Sequence, residues 1–363
     1  MTQIVASYET TLLELKNNID AALSTHVKAL HQDAVKNYTP SSAAVVDAYL
    51  SVLERGGKRI RGALTIIGYQ MCGGKDHNMI LQAAAAIEMV HAYILVLDDI
   101  MDRSLKRRGG PSAHAAMTSY HKLHGLTGNS EHFGESVAIN GALIGNHYAQ
   151  SIITQLNAVD ANKLRAIKLL NDALAVTGHG QINDIFNEAL DSVDEQAVDH
   201  VLEWKTAHYT FLNPLQFGMA LSGASQATLD AIKNYCMYAG RAFQITDDIL
   251  GTFSSELDAG KSPMDDIREG KRTVLSIAAL DLASSSDKNF LIQMLGNDNL
   301  TQAQFIRCKE ILVATGALEA ASKLAKTMVT KALASLHQNQ SYWDQQGTDF
   351  LAALVKNLLG RAS

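Results

Sequence analysis

Three aspartates, Asp98, Asp99 and Asp102, close an apolar run over 91–97, and two arginines, Arg107 and Arg108, follow shortly after. On a helix, residues four apart lie one turn above another, which aligns Asp98 with Asp102 on one face. Carboxylates at a helix C-terminus repel one another and oppose the negative pole of the helix dipole, so they call for cations. Oxygen ligands of this kind suit Mg²⁺, which takes a few carboxylates and leaves its other positions to water and substrate phosphates. The arginines supply forked donors for the same phosphates. The alternative for this segment alone is a solvated helix end with surface ion pairs.

Other stretches carry related chemistry. Asp247 and Asp248 close a second apolar helix, and two acidic helix ends suggest facing helices in one bundle. Gly56-Gly57-Lys58-Arg59-Ile60-Arg61-Gly62 permits a tight turn with Lys58 and Arg61 on one helix face. That is either an anion site at a helix start or a helix C-cap followed by exposed basic residues. His91 lies about two turns before Asp98, as a phosphate donor or a hydrogen-bonded core histidine. Thr177, Gln181 and Asp184 share one helical face. Gly178 and Gly180, within the same pattern, each cost about 1 kcal/mol relative to alanine and permit a kink or a close backbone approach. Lys261 and Lys271 flank a loop with glycine and proline and could reach the second acidic pair.

The elements that must position these residues are read as helices. The chain has 363 residues, is 47% hydrophobic and contains only 4 prolines, with abundant Ala, Leu and Ile, which predicts an all-α protein. No linker divides it, so 1–363 is expected to be a single domain. Amphipathic helices are predicted over 4–36, as one or two, then over 40–53, 78–102 and 137–156, with 121–136 as the best loop in the first half. Amphipathic helices without evident chemistry follow Thr273. The net charge of -6 argues against an electrostatic nucleic-acid binder. Cys72, Cys236 and Cys308 are far apart, which points to a reducing compartment, without a disulfide framework or a cysteine metal set. The N-terminus lacks a signal-peptide core, and no apolar run reaches the roughly 20 residues of a membrane span. Glu88 and His91 interrupt the run over 83–97, which reads as a core helix, and a cytoplasmic location is expected.

Taken in order, the motifs over about 50–280 resemble those of the trans-isoprenyl diphosphate synthases, the polyprenyl synthetase family. Gly57-Lys58-Arg59-Ile60-Arg61 resembles the family's isopentenyl diphosphate site. Asp98-Asp99-Ile100-Met101-Asp102 matches its first aspartate-rich motif and Arg107-Arg108-Gly109 the arginine pair after it. Thr177, Gln181 and Asp184 match the helix beside the allylic substrate. Lys205-Thr206, Phe243-Gln244, Asp247-Asp248, Lys261 and Lys271 match the remaining landmarks.

The resemblance implies an isoprenoid-synthase-type helical bundle around a central cavity, usually homodimeric. Its activity would be the Mg²⁺-dependent, head-to-tail coupling of an allylic diphosphate to isopentenyl diphosphate. It implies Mg²⁺ held by Asp98, Asp99, Asp102, Asp247 and Asp248, with Arg107, Lys205 and Lys261 on the leaving diphosphate. Lys58, Arg61, His91 and Arg108 would hold the second diphosphate. Gly57, Thr206, Gln244 and Lys271 belong to the substrate-binding set, and Thr177 and Gln181 would face the allylic cation. Three departures stand out: Gly251 where the second motif usually has a third aspartate, Gly62 where proline is common, and no aspartate after Asn140-Gly141. In the family, bulky residues before the first motif block the growing tail. Tyr93, followed by the non-aromatic Ile94, resembles geranylgeranyl-producing members more than farnesyl synthases. Farnesyl or longer products remain alternatives. So do a terpene cyclase, which needs no second diphosphate site, and a non-catalytic subunit of a heteromeric synthase.

Overall fold

Short polar side chains set many of the helix starts. Thr39 accepts from the backbone N–H of Ser42, Asp76 from that of Met79, and Asp194 from that of Ala197, at 2.8–3.2 Å. Asn129 accepts from both Glu131 and His132 at 2.9 Å. Each such cap satisfies a backbone donor that the helix itself cannot reach. The computed structural model describes residues 2–254 and 262–361. In chain order come α1 (Thr2–Asn37), α2 (Pro40–Glu54), α3 (Ile60–Gln70) and α4 (His77–Met101). A two-stranded hairpin, β1 (Lys106–Arg107) and β2 (Gly110–Pro111), leads to α5 (Ala113–Leu123), α6 (Ser130–Thr154), α7 (Asp160–Ala189) and α8 (Glu195–Val201). A π-helix over Leu202–Leu212 runs into α9 (Asn213–Leu221), α10 (Gln226–Ala231) and α11 (Lys233–Phe253). The remainder is α12 (Asp265–Arg268), α13 (Val274–Leu282), α14 (Ser285–Met294), α15 (Gln302–Ala314), α16 (Ala317–Gln338) and α17 (Gln345–Arg361).

The all-α expectation is met, with two corrections of detail. The N-terminal pattern, read as one helix or two, is one. Most of the expected loop over 121–136 is helical: α5 runs to Leu123 and the Asn129 cap opens α6 at Ser130. Gly125, Gly128 and Asn129 lie in the short turn between, and His121, read as loop, is buried with its Nε2 on the Thr127 carbonyl at 3.1 Å. Finally, Asp247 and Asp248 do not end their helix, which continues to Phe253.

Helix α4 is the axis of the fold. Ala83, Ala84, Ala85 and Ala86 have no exposed surface, and Ile87, Met89, Val90 and Val96 are buried beside them. Burying such a side chain contributes about 1.5–3 kcal/mol. The helix is long and apolar enough to cross a membrane, but most of it is buried against other helices. One apolar cluster joins α4 to α1, α2 and α6 through Ile19, Val52, Ile80 and Ile153. A second, with Leu64, Phe211, Tyr235 and Val355, joins α3, the π-helix, α11 and α17. A third fills the space between α11 and α13–α16.

The π-helix is gripped on two sides by glycines. A Cβ on Gly180 of α7 would stand 2.4 Å from the backbone nitrogen of Lys205, and one on Gly240 of α11 would stand 2.3 Å from Cα of Ala207. No side chain fits at either point, so both helices lie directly on the π-helix backbone. Gly178 differs, since a Cβ there would meet nothing within 4 Å. Gly180→Ala should therefore destabilise the protein by about 1–3 kcal/mol through overpacking. Gly178→Ala should stabilise it by up to about 1 kcal/mol through helix propensity. Urea midpoints of the two variants, moving in opposite directions from wild type, check this.

Candidate active site

Each aspartate at the end of α4 meets its own cation. Lys205 of the π-helix lies 3.3 Å from Asp98 and 2.7 Å from Asp184 of α7. Lys271, in the turn after α12, lies 2.9 Å from Asp102 and 2.7 Å from Glu269. Arg107 grips Asp99 through Nε, at 2.7 Å, and through Nη2. Burial would raise the Asp98 carboxyl, but Lys205, Lys271 and Arg107 outweigh it and hold the group at about 2. Burial dominates at Asp99, which is pushed up to about 6 against the pull of Arg107. Adjacent helix positions point about 100° apart, so Asp99 cannot share the face of Asp98 and Asp102. Its side chain has no exposed surface. In this structure it anchors Arg107 inside the protein.

A second cluster is almost purely cationic. The chain turns out of α2 through Gly56 and Gly57, with φ of +83° and +135°, and Arg59 at +51° opens α3. Arg59 is buried and tied down: Nε to Asp20 at 2.8 Å, Nη2 to the Leu53 carbonyl at 2.8 Å, and Nη1 to Glu88 at 3.5 Å. That anchorage presents its neighbours Lys58 and Arg61 on the other side. Arg61 donates to His91 Nε2 at 3.1 Å and to Thr210 Oγ1 at 2.6 Å, and lies 4.8 Å over the Tyr209 ring. Arg108 donates to the Val52 carbonyl at 3.1 Å. A Cβ on Gly57 would stand 2.8 Å from Arg108 Nη2, which explains a glycine there beyond its φ. Burial, then the neighbouring Arg59, lower Arg108 to about 10. Burial and the positive field of Arg61 and Arg108 hold His91 well below the usual histidine range, so its ring is neutral.

The hairpin explains how adjacent arginines serve different clusters. Arg107 pairs with Gly110, leaving Arg108 and Gly109 as a two-residue turn with φ of +51° and +73°. Positive φ at both central positions is the signature of the tight turn whose twist suits a hairpin.

Both clusters border one cavity of about 750 Å³. Lys58, His91, Arg107, Arg108, Lys205, Thr206, Gln244, Asp247, Asp248 and Lys271 line it, with Leu95, Val201 and Leu250 as apolar wall. On the far side, Thr206 donates to Gln244 at 2.8 Å, and Gln244 donates to Asp248 at 2.7 Å. This short relay fixes which face of α11 the second acidic pair presents.

The sequence profile described as polyprenyl synthetase matches residues 43–312. The chain belongs to the polyprenyl synthetase family. The geranylgeranyl diphosphate synthase of Saccharolobus solfataricus is 30% identical over 307 residues, covering 84% of this chain and 87% of that protein. The short chain isoprenyl diphosphate synthase of Methanocaldococcus jannaschii is 30% identical over 77% of this chain and 80% of its own. Among solved structures, geranylgeranyl pyrophosphate synthase from Corynebacterium glutamicum, complexed with isoprenyl diphosphate and magnesium, superposes with a TM-score of 0.89. It shares 28% identity and covers 96% of this chain and 99% of that one.

Within this polyprenyl synthetase, not every expected residue reaches the cavity. Thr177 is buried, with its hydroxyl on the Ala173 carbonyl at 2.7 Å, so that group serves its own helix. Gln181, Tyr93 and Ile94 are half-buried, and none of them lines the cavity; nor do Gly57, Arg61 and the three α4 aspartates, whose clusters border it through Lys58, His91, Arg108, Arg107, Lys205 and Lys271. Lys261 lies outside the described residues. Conversely, Leu95, Arg272 and Thr273 line the cavity without having been singled out for the site, and Asp266, downstream of the second acidic motif, lines it as well. Tyr209 and Thr210 support Arg61 from the π-helix, where contacts five residues apart replace the usual four. Glu188 was also missed, although it continues the 177–181–184 face by one more turn. Burial, then Asp184, raises its carboxyl to about 7, against the pull of Lys271.

That shift has a direction in stability. With a folded-state value of about 7 against an ordinary glutamate near 4.5, the folded protein binds the proton more tightly. The contribution is fully present below about pH 4.5 and lost as pH rises through about 7. Glu188→Gln should therefore melt above wild type at pH 8 in divalent-free buffer, with the difference closing by pH 5. Thermal melts of both proteins at the two pH values check this.

Proposed function

We propose that this protein is a Mg²⁺-dependent short-chain prenyl diphosphate synthase. It would join isopentenyl diphosphate head to tail to an allylic diphosphate, with geranylgeranyl diphosphate as product. One observation carries the proposal: two charge clusters of different composition share one cavity. The cluster at Asp98 and Asp102 interleaves acids with Lys205 and Lys271, which suits a diphosphate that arrives with a hard cation. Asp98, Asp102, Asp247 and Asp248 would hold Mg²⁺, which when bound neutralises charge on the departing diphosphate. The cluster of Lys58, Arg61, His91 and Arg108 offers donors alone and would bind a second diphosphate directly.

The residues then divide the work. Lys205, Lys271 and Arg107 would release part of their hold on the carboxylates and donate to the leaving diphosphate as the allylic C–O bond breaks, where charge develops. Lys58, Arg61, Arg108 and His91 would orient isopentenyl diphosphate so that its double bond meets the allylic carbon. Gln181 would turn its amide oxygen toward the cation, and the released diphosphate would take the final proton. A terpene cyclase needs only the first cluster, so the second favours a synthase. Apolar side chains exposed on α6 and α7, Ile139, Leu143, Ile144, Ile182 and Phe186, support a homodimer that covers them.

Protein supplied with Mg²⁺, labelled isopentenyl diphosphate and dimethylallyl, geranyl or farnesyl diphosphate should give a discrete product of twenty carbons. No incorporation from any primer by folded protein would reject the synthase in favour of the cyclase or the non-catalytic subunit. Tyr93, about one and a half turns below Asp98 on α4, would form the floor for the growing tail. Tyr93→Ala should lengthen the product, and an unchanged chain-length distribution removes Tyr93 from that role.

A further inference from the structure

Arginine has a long stem, and its rotamer entropy opposes holding it in one place. Arg61 is nevertheless held from three directions: by His91, by Thr210 and by the face of Tyr209. The contact with Thr210 Oγ1, at 2.6 Å, is the shortest and is charge-assisted. Thr210 is 1% exposed and its hydroxyl meets the Arg61 guanidinium, so it acts on any substrate through Arg61. The contact with His91 carries a second consequence. A guanidinium can only donate, so His91 Nε2 must accept and the ring proton must sit on Nδ1. His91 Nδ1 is buried without a partner in the protein, which leaves one N–H donor on a ring that borders the cavity.

We propose that Thr210 is a positioning residue of the second diphosphate site: its hydroxyl fixes the guanidinium of Arg61, and Arg61 in turn fixes His91 as the Nδ1-protonated tautomer. This rests on the assignment of Arg61 and His91 to isopentenyl diphosphate. The same π-helix carries Lys205 and Thr206, so one element sets the donors of both clusters. The two effects separate because Thr210 touches only the second.

Thr210→Val keeps the shape and removes the acceptor, whereas Thr210→Ser keeps the hydroxyl. With Thr210→Val, KM for isopentenyl diphosphate should rise about tenfold, the loss of one hydrogen bond to a charged group. KM for the allylic diphosphate should stay within about twofold, and Thr210→Ser should restore wild-type values. Equal rises for both substrates, no rise, or a serine variant as impaired as valine would each overturn the role. Calorimetric titration with isopentenyl diphosphate separates the two levels of the argument. No binding by wild type removes the site and this role with it, whereas equal binding by wild type and Thr210→Val removes only the role. Nitrogen-15 spectra of histidine-labelled wild type need no variant: the proton of His91 is expected on Nδ1, and a proton on Nε2 overturns the proposal.

Discussion

The pairing of each α4 aspartate with its own cation is the constraint on which the rest depends. Asp98, Asp99 and Asp102 sit at the end of a buried helix, where like charges and the helix dipole both act against them. Lys205, Arg107 and Lys271 answer them one by one. These cations come from the π-helix, the hairpin and the turn after α12, segments far apart in the chain. Removing one partner from a buried pair typically costs about 3–5 kcal/mol, because the remaining charge stays uncompensated. The site and the packing of these segments are therefore one problem: the bundle must close so that three distant cations arrive within one turn of helix.

Closing the bundle this way makes two binding environments from nearly the same residue types. Where acids and bases alternate, an incoming diphosphate would have to displace ion pairs, and an accompanying metal would compensate the carboxylates that lose their lysines. Where guanidiniums are held by neutral acceptors, as Arg108 is by the Val52 carbonyl and Arg61 by Thr210 and His91, a phosphate would bind without displacing those contacts' counter-ions. Adjacent residues are assigned to opposite environments by backbone geometry alone, since the turn at Arg108-Gly109 sends Arg107 to Asp99 and Arg108 toward the Gly57 turn.

Much of this is legible in the sequence, for a physical reason. The ends of α2 and α4, the Gly56-Gly57 turn and the acidic pair on α11 are local features, and spacing on a regular helix predicts which of their side chains share a face. Asp98 and Asp102 fall together on that rule. What escapes it is what regular helical periodicity cannot describe. Thr210 stands five residues after Lys205, a separation that an α-helix turns away and the π-helix brings nearer. Asp99 looks like its neighbours in type but not in direction, and the number of aspartates alone does not distinguish them. Thr177 has the right face but bonds its own helix, a choice open to any threonine in a helix. Gly178 and Gly180 are alike on paper, and only the approach of the π-helix separates a required glycine from a tolerated one.

The departures from the family pattern follow from packing of the same kind. Gly62 occupies a place where proline is common, but here its backbone N–H donates to Glu88 at 2.8 Å, and Glu88 also meets Arg59. Proline has no such hydrogen, so it would leave a buried carboxylate one donor short beside the arginine that anchors the second cluster. Gly251 stands where a third aspartate is usual. A Cβ at that position would lie 3.0 Å from Oδ2 of Asp266, whose side chain borders the same cavity. The segment entering α12 thus brings a carboxylate up against α11 at the point where the helix itself carries none. An aspartate at 251 would press two negative groups together, each raising the cost of ionising the other. The second acidic motif is better described as a surface than as a string of residues: its charge is assembled from α11 and α12, and a glycine on the one makes room for the carboxylate of the other.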